Sequence, residues 1–257
     1  MGQKDGSAKS VSETRQILGI TFFGGSSGEA IARMNQGGLL VVPAAPALKD
    51  LGTNAQYREA LLQADLAIAD SAYMVLIWNL LNRDHLRRLS GLEYLRALLL
   101  DTEFRTQGKS FWIMASSKSA ELNLAWLAGQ GILISPECSY LAPRYGAHLD
   151  DRELVEKLNR LRPKHIVVTV GGGTQERLGL YLKRHLDYLP AIHCIGAAIA
   201  FLSGDQVRIP VWADRFYLGW LYRSLSEPKL YVPRYWGARK LFMLMLKYRS
   251  ELPPLKV

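Results

Sequence analysis

The sequence predicts an α/β protein: a Rossmann-like, open and mainly parallel sheet sandwich, followed by a basic, aromatic helical appendage at its C-terminal end. Three observations predict it. Short runs of continuous apolar character recur through the first two hundred residues, as expected of strands buried on both faces. Between them lie stretches of helical length and composition, and that alternation is the signature of parallel strands covered by helices. The last fifth of the chain abandons the alternation and becomes rich in Trp, Tyr, Arg and Lys.

The elements follow in order. Residues 16–24 (QILGITFFG) read as a first strand, and Ser26–Asn35 as a helix. Leu39–Val42 (LLVV) is a short buried strand, after which Pro and Ala mark a turn. Gln56–Ala64 is helical, and Leu66–Ala69 (LAIA) is a strand that ends at Asp70. Tyr73–Leu81 reads as a mostly apolar helix, and a basic loop, Arg83–Arg88, leads into the helix Gly91–Leu100. The second half repeats the scheme. Ser110–Ala115 is a strand, Ser119–Gln130 a helix, and Ile132–Ile134 a short strand. Asp150–Leu161 is a helix, His165–Val170 a strand, Thr174–Asp187 a helix, and Ala191–Ile195 the last strand. From Val211 onward one or two amphipathic helices are expected.

With 49% apolar and 21% charged residues, 257 residues suffice for one large domain with a substantial core. The polar residues 1–14 read as a loose leader with no signal-peptide pattern, 15–206 as the α/β domain, and 207–257 as the appendage. The longest apolar run, about Leu189 to Leu202, is shorter than the roughly 18 residues a membrane-spanning helix needs. Cys138 and Cys194 form no disulfide framework, and neither they nor the five histidines show metal-ligand spacing, so no metal or cofactor is expected. Charge is unevenly placed. Residues 207–257 carry ten basic against three acidic side chains, a net +7 of the chain's +9. Such a segment calls for an anionic partner: membrane lipid, nucleic acid or a diphosphate.

In open α/β sheets ligands bind beyond the carboxyl ends of the strands, and Asp70 stands at such an end. A carboxylate there can act as a general base, or it can cap the helix that follows. Gly171, Gly172 and Gly173, followed by Thr174, Gln175 and Glu176, join a strand to a helix, where the backbone can approach a phosphate. A plain tight turn is the other reading, and the dinucleotide G-x-G-x-x-G spacing is absent. The loop carrying Arg83, His85, Arg87 and Arg88 could hold a diphosphate through guanidinium groups, or be a solvated charged loop.

Taken together, these segments resemble the WecG/TagA/CpsF glycosyltransferases, which build teichoic-acid linkage units and related bacterial surface polysaccharides. The resemblance runs from about Ile17 to Phe242 and is densest in GDQVRIPVWADRFYLGWLYRSLSEPKLYVPRYW. There Gly204, Arg208, Pro210, Gly219–Trp220, Arg223, Glu227–Pro228 and Arg234–Tyr235 match the family's pattern in register, without its Glu before the Trp. ADLAIAD resembles the family's A-D-x-x-x-x-D-G, Arg88–Gly91 its R-x-x-G, and GGGTQE its G-x-P-x-Q-E.

The resemblance implies an inverting, metal-independent transfer from a UDP-sugar to a polyprenyl-diphosphate-linked sugar, by a peripheral protein at the cytoplasmic face of the bacterial inner membrane. It puts the base at Asp70, Arg88 of the R-x-x-G motif against the charge developing on the departing UDP, and donor contacts at Gly171–Glu176. It also implies that the appendage meets an anionic membrane and supplies Arg208, Arg223 and Arg234, with Arg215, to the acceptor's diphosphate. Nucleic acid is not the expected partner, and homo-oligomer formation is compatible with the family. The chain departs from the pattern at Pro43–Ala44–Ala45, Ser71, Gly173, Ala115–Ser116 and Ala200. These donor-side changes motivate an alternative, a non-catalytic relative that holds a lipid carrier or a partner enzyme.

Overall fold

The computed structural model describes residues 14–206, 221, 225 and 228–256, without the side chains of 228, 230–235 and 238. Among the described residues, eight strands form one sheet in the order β1-β2-β4-β3-β8-β7-β5-β6. The strands are β1 (Thr14–Ile17), β2 (Ile20–Phe23), β3 (Gly38–Val41), β4 (Leu66–Ile68), β5 (Ser110–Met114), β6 (Ser139–Leu141), β7 (His165–Val168) and β8 (Ala191–Cys194). All neighbours run parallel except β1 and β2, which pair antiparallel at one edge. From β3 to β5, β7 and β8, every strand residue is buried, so both faces are covered.

Two cores lie on the two faces. One is closed by the helices α1 (Ser27–Met34), α5 (Gly91–Leu98) and α6 (Ser117–Gly129), which bring Ile31, Tyr94 and Leu127 onto Leu40, Trp112 and Val167 of the sheet. The short α9 (Ala200–Ser203) packs against α6. The opposite face is closed by α2 (Ala45–Leu48), α3 (Ala55–Leu62), α4 (Ala72–Asn82), α7 (Arg152–Leu161), α8 (Thr174–His185) and α10 (Pro228–Tyr248). Their Leu48, Tyr57, Met74, Leu158 and Leu178 pack on Phe22, Leu39, Phe111 and Ile166. A strand's alternating side chains thus feed two separate hydrophobic layers.

Three sequence expectations are revised. The strand foreseen over 16–24 is a hairpin, because Leu18 and Gly19 both take positive φ (50° and 77°) and Ile17 pairs with Ile20. A two-residue loop of that handedness matches the twist of antiparallel strands. Ile132–Ile134 is not a strand: the Ile132 N–H donates to the Leu127 carbonyl (2.9 Å) and winds up the end of α6. The edge strand is β6 instead, paired with β5. The Pro/Ala turn after β3 holds a short helix, α2, with Pro46 inside its first turn, where a missing N–H costs nothing.

Within 207–257, the described part is joined firmly to the body from Leu241 onward. Leu241 and Met245 have no exposed surface and belong to the core that α4 and α8 close. The Arg249 and Ser250 carbonyls accept from the N–H groups of Leu18 and Gly19 (2.8 Å each), and the Lys256 N–H donates to the Gly52 carbonyl (2.7 Å). Arg58 donates to the Pro253 carbonyl. The chain end therefore locks the β1–β2 hairpin.

A pair of histidines is buried inside the sheet. His193 on β8 bonds Tyr94 Oη through Nδ1 (2.9 Å) and His165 Nδ1 through Nε2 (3.2 Å), with the two imidazoles stacked at 5.4 Å. Burial lowers His165 to about 4 and pushes His193 down as well, so both rings are neutral and add no charge to the core.

Replacing Leu241 by Ala should destabilise the protein by about 2–4 kcal/mol, the usual scale for emptying a fully buried leucine site. Met243→Ala, on the exposed side of the same helix, should change stability by less than about 0.5 kcal/mol. Urea denaturation of the two variants beside the parent measures this; equal losses would mean that the end of α10 is not part of the core.

Candidate active site

The parallel strands β2, β4, β3, β8, β7 and β5 all deliver their carboxyl ends to one edge of the sheet. Asp70 leaves β4 there, two residues beyond the strand. Its carboxylate is held from the α5 side. The Gly91 N–H donates to Asp70 Oδ1 (3.0 Å), and the Arg88 guanidinium lies 3.7 Å from the same oxygen. Arg88 Nε donates to the Asp70 carbonyl at 2.6 Å, so one arginine holds both the backbone and the side chain of the aspartate. Asp70 nonetheless keeps 29% of its side-chain surface exposed, while Arg88 keeps 16%.

The capping alternative for Asp70 is answered by its neighbour. Ser71 caps α4, its Oγ accepting from the Met74 N–H at 3.1 Å. Asp70 instead meets the first N–H of α5, next to the cap Ser90, whose Oγ accepts from Glu93. Anionic oxygen at a helix N-terminus is favoured by the helix dipole. Gly91 sits in a tight place: a Cβ there would stand 3.1 Å from Val42 Cγ1, which would have to give by a few tenths of an ångström, and 3.6 Å from the Ile195 carbonyl. The R-x-x-G spacing thus puts a clasp and its hinge point over the ends of β3 and β8.

The glycine loop lies on the same edge, beyond β7. It divides into an inward and an outward half. Gly173 takes φ 88° and opens α8, and its N–H donates to Glu176 Oε2 (2.6 Å). Thr174 and Gln175 return their N–H groups to the Gly171 carbonyl (3.2 and 3.1 Å). Glu176 has no exposed surface and also accepts from Gln175 Nε2 (3.1 Å), so it stabilises the turn and does not face solvent. Gly171 and Gly172 are exposed, and a Cβ on either would meet nothing within 4 Å.

Gln175 is 3% exposed, and its Oε1 is buried with no hydrogen-bond partner. It faces Gly196, whose Cβ position would be 3.3 Å from that oxygen. The Cys194 thiol donates to the Gln175 carbonyl (3.1 Å) and fixes the start of α8 to β8. Asp70, Gly91, Ile195, Gly196 and Gln175 therefore lie near one another along this edge.

The basic loop is organised by an acid. Asp84 accepts from Arg15 (2.6 and 3.1 Å), from Trp78 Nε1 (2.8 Å) and from the His85 N–H (2.7 Å). The Arg15 guanidinium chiefly, with the other donors, brings the Asp84 carboxyl down to about 2. Arg87 pairs with Glu93 (2.9 Å), and only Arg88 turns toward Asp70. Arg208, Arg215 and Arg223 lie outside the described residues; Arg234 falls within α10, its side chain outside them. Among the described residues no three His, Cys, Asp or Glu side chains gather as a metal-holding group. Sequence reading passed over Ser119 and Asp205, which hydrogen-bond (2.5 Å) at the start of α6 beyond β5. It also passed over Ser26 and Ser90 as caps, although a Glu three residues after each was the available signal.

Burial pushes Glu176 up to about 7 from its ordinary 4.5. A raised carboxyl contributes stability that is complete below pH 4.5 and is lost as pH rises through about 7. Relative to a Glu176→Gln variant, the parent should therefore lose about 3 kcal/mol between pH 4.5 and pH 8. Urea unfolding of both proteins across that range reads the difference; a constant gap would place the Glu176 carboxyl in water.

The family model described as "Glycosyl transferase WecG/TagA/CpsF family" matches residues 15–253. The chain is 26% identical over 188 residues to the N-acetylglucosaminyldiphosphoundecaprenol N-acetyl-beta-D-mannosaminyltransferase of Bacillus spizizenii strain W23, covering 71% of this chain and 70% of that protein. A protein of the same name from Staphylococcus aureus strain MW2 is 24% identical over 203 residues, covering 77% of this chain and 76% of its own. With the match spanning both the Asp70–Arg88 clasp and the glycine loop, the chain belongs to the WecG/TagA/CpsF family of glycosyltransferases.

Proposed function

We propose that this chain moves a sugar from a UDP-sugar to a polyprenyl-diphosphate-linked sugar, with inversion and without a metal, in the synthesis of a bacterial surface polysaccharide. The observation that carries the reading is the Asp70 carboxylate, part-exposed at the carboxyl end of β4 and gripped by Arg88 and the Gly91 N–H. The named relatives act, by their names, on N-acetylglucosaminyl-diphosphoundecaprenol, which supports an acceptor of that kind.

In this mechanism Asp70 accepts the proton of the acceptor hydroxyl as that oxygen bonds to the anomeric carbon of the donor. The bond from that carbon to the β-phosphate oxygen breaks, and its electron pair leaves on UDP. Attack from the face opposite UDP inverts the anomeric centre. Arg88 fixes the direction of the base, and positioned charge of this kind is most effective where water is excluded. The exposed Gly171–Gly172 backbone faces the diphosphate, while Thr174, Gln175 and Glu176 hold the loop in shape. The donor binds in a Rossmann-like manner across the carboxyl edge. Arg208, Arg215, Arg223 and Arg234 meet the acceptor's diphosphate and stand in for a cation. Residues 207–257 hold the protein on the anionic cytoplasmic face of the inner membrane, where each engaged Lys or Arg adds about 1 kcal/mol.

UDP release tests this with UDP-N-acetylmannosamine and other UDP-sugars, a polyprenyl-diphosphate-N-acetylglucosamine acceptor and excess chelator. The parent should turn over under these conditions, and Asp70→Asn should reduce the rate by roughly 10²-fold or more with an unchanged melting temperature. Near-parental turnover in the variant would remove Asp70 as the base. No UDP release from any donor would favour the non-catalytic relative, in keeping with the apolar Pro43–Ala44–Ala45 at the end of β3.

A further inference from the structure

α4 (AYMVLIWNLLN) does not have the composition of a helix that covers a sheet and faces water. Its inward side is apolar, as packing requires: Met74, Val75, Ile77 and Trp78 are buried in the core. Its outward side is apolar as well. Tyr73, Leu76 and Leu80 recur at three- and four-residue spacing and are exposed, Leu76 at 53% and Leu80 at 78%. An ordinary surface helix carries polar side chains there. α10 packs beside α4 on the same face of the sheet, and its outward side repeats the anomaly with charge added. Trp236, at 66% exposure, and the exposed Met243 and Leu246 alternate with exposed Arg239, Lys240 and Lys247. The Arg239 guanidinium lies on the Trp236 ring, 4.5 Å from its centre. At the C-terminal end of α4 stand exposed Arg83, His85 and Arg87. The acids among them are engaged: Asp84 with Arg15 and Trp78, and Glu93 with Arg87.

We propose that the outward face of α4 inserts into the interfacial layer of an anionic bilayer leaflet, with the α10 face and the Arg83–Arg87 loop contacting the headgroups around it. The pattern is apolar in the middle and cationic at the border, which is how a helix lies in a membrane surface. At 11 residues α4 is about 16 Å long, too short to cross a bilayer, and no helix of the described residues is long and apolar enough to do so. Charge selects the leaflet over a second copy of this chain, because pairing two copies would bring together two such cationic borders on chains that each carry +9. The consequence for the site is direct. Tyr73, the first residue of the stripe, is three positions from Asp70, so docking α4 brings the carboxylate to headgroup depth, where a lipid-linked diphosphate lies.

This deepens the proposed function and rests on its membrane attachment; the test contains neither donor nor acceptor, so the transfer reaction and the α4 surface fail separately. The full chain is floated with vesicles of phosphatidylglycerol and phosphatidylcholine, and with phosphatidylcholine alone. The parent should bind the anionic vesicles, and Leu76→Gln/Leu80→Gln should weaken that binding by roughly tenfold or more. The double variant should keep the parental melting temperature. Leu133→Gln/Leu189→Gln, the same change at two exposed leucines in connecting loops, should leave binding unaltered. Unchanged vesicle binding in the α4 variant, or no binding by the parent, would overturn the inference. So would a lipid-free dimer of the parent that the α4 variant dissociates, since the stripe would then be a subunit interface.

Discussion

The site depends on one clasp, the grip of Arg88 and the Gly91 N–H on Asp70. A carboxylate at the end of a strand is flanked by loops and has no fixed direction of its own. Here one side is fixed by a guanidinium that also holds the Asp70 carbonyl at 2.6 Å, and the other by the first N–H of a helix. Both come from a segment 18 to 21 residues downstream, across the whole of α4. The clasp therefore joins elements on opposite faces of the sheet, since α4 packs on one core and α5 on the other.

The remaining parts of the edge are arranged to serve that fixed point. Gly91 lies close over Val42 and the Ile195 carbonyl, which ties the clasp to the two central strands. Cys194, one residue earlier on β8, holds the beginning of α8 through the Gln175 carbonyl. The glycine loop that follows β7 is stiffened from within by the buried Glu176 carboxyl, leaving Gly171 and Gly172 as its outer surface. The conformation of that loop is thus set by its own buried acid.

Much of the architecture was legible in the sequence because the central strands are buried on both faces and so read as unbroken apolar runs. The strands at Leu39, Leu66, Ser110, His165 and Ala191 all begin at or next to the residues foreseen. Edges were harder. β6 is only partly buried, so Ser139–Leu141 carries no such run, whereas Ile132, buried at the end of α6, imitated one. The Leu18–Gly19 hairpin was hidden because a leucine at positive φ has no sequence signal. Asp70 was recognisable as a strand-end carboxylate, but its partner across α4 was not, since such pairing is tertiary. The glycine loop was visible as a loop, but the inward turn of Glu176 was not. The aromatic and basic pattern of the tail marked a helix without revealing that Leu241 and Met245 are its buried side.

A double-mutant cycle on the clasp tests its central role most directly. Transfer rates at saturating donor and acceptor are measured for the parent, Asp70→Asn, Arg88→Gln and the double variant. If Arg88 acts by directing the Asp70 carboxylate, its loss matters little once that carboxylate is gone, and the double variant should be about as slow as Asp70→Asn alone. Rate losses that multiply, as for two groups acting independently, would contradict the account.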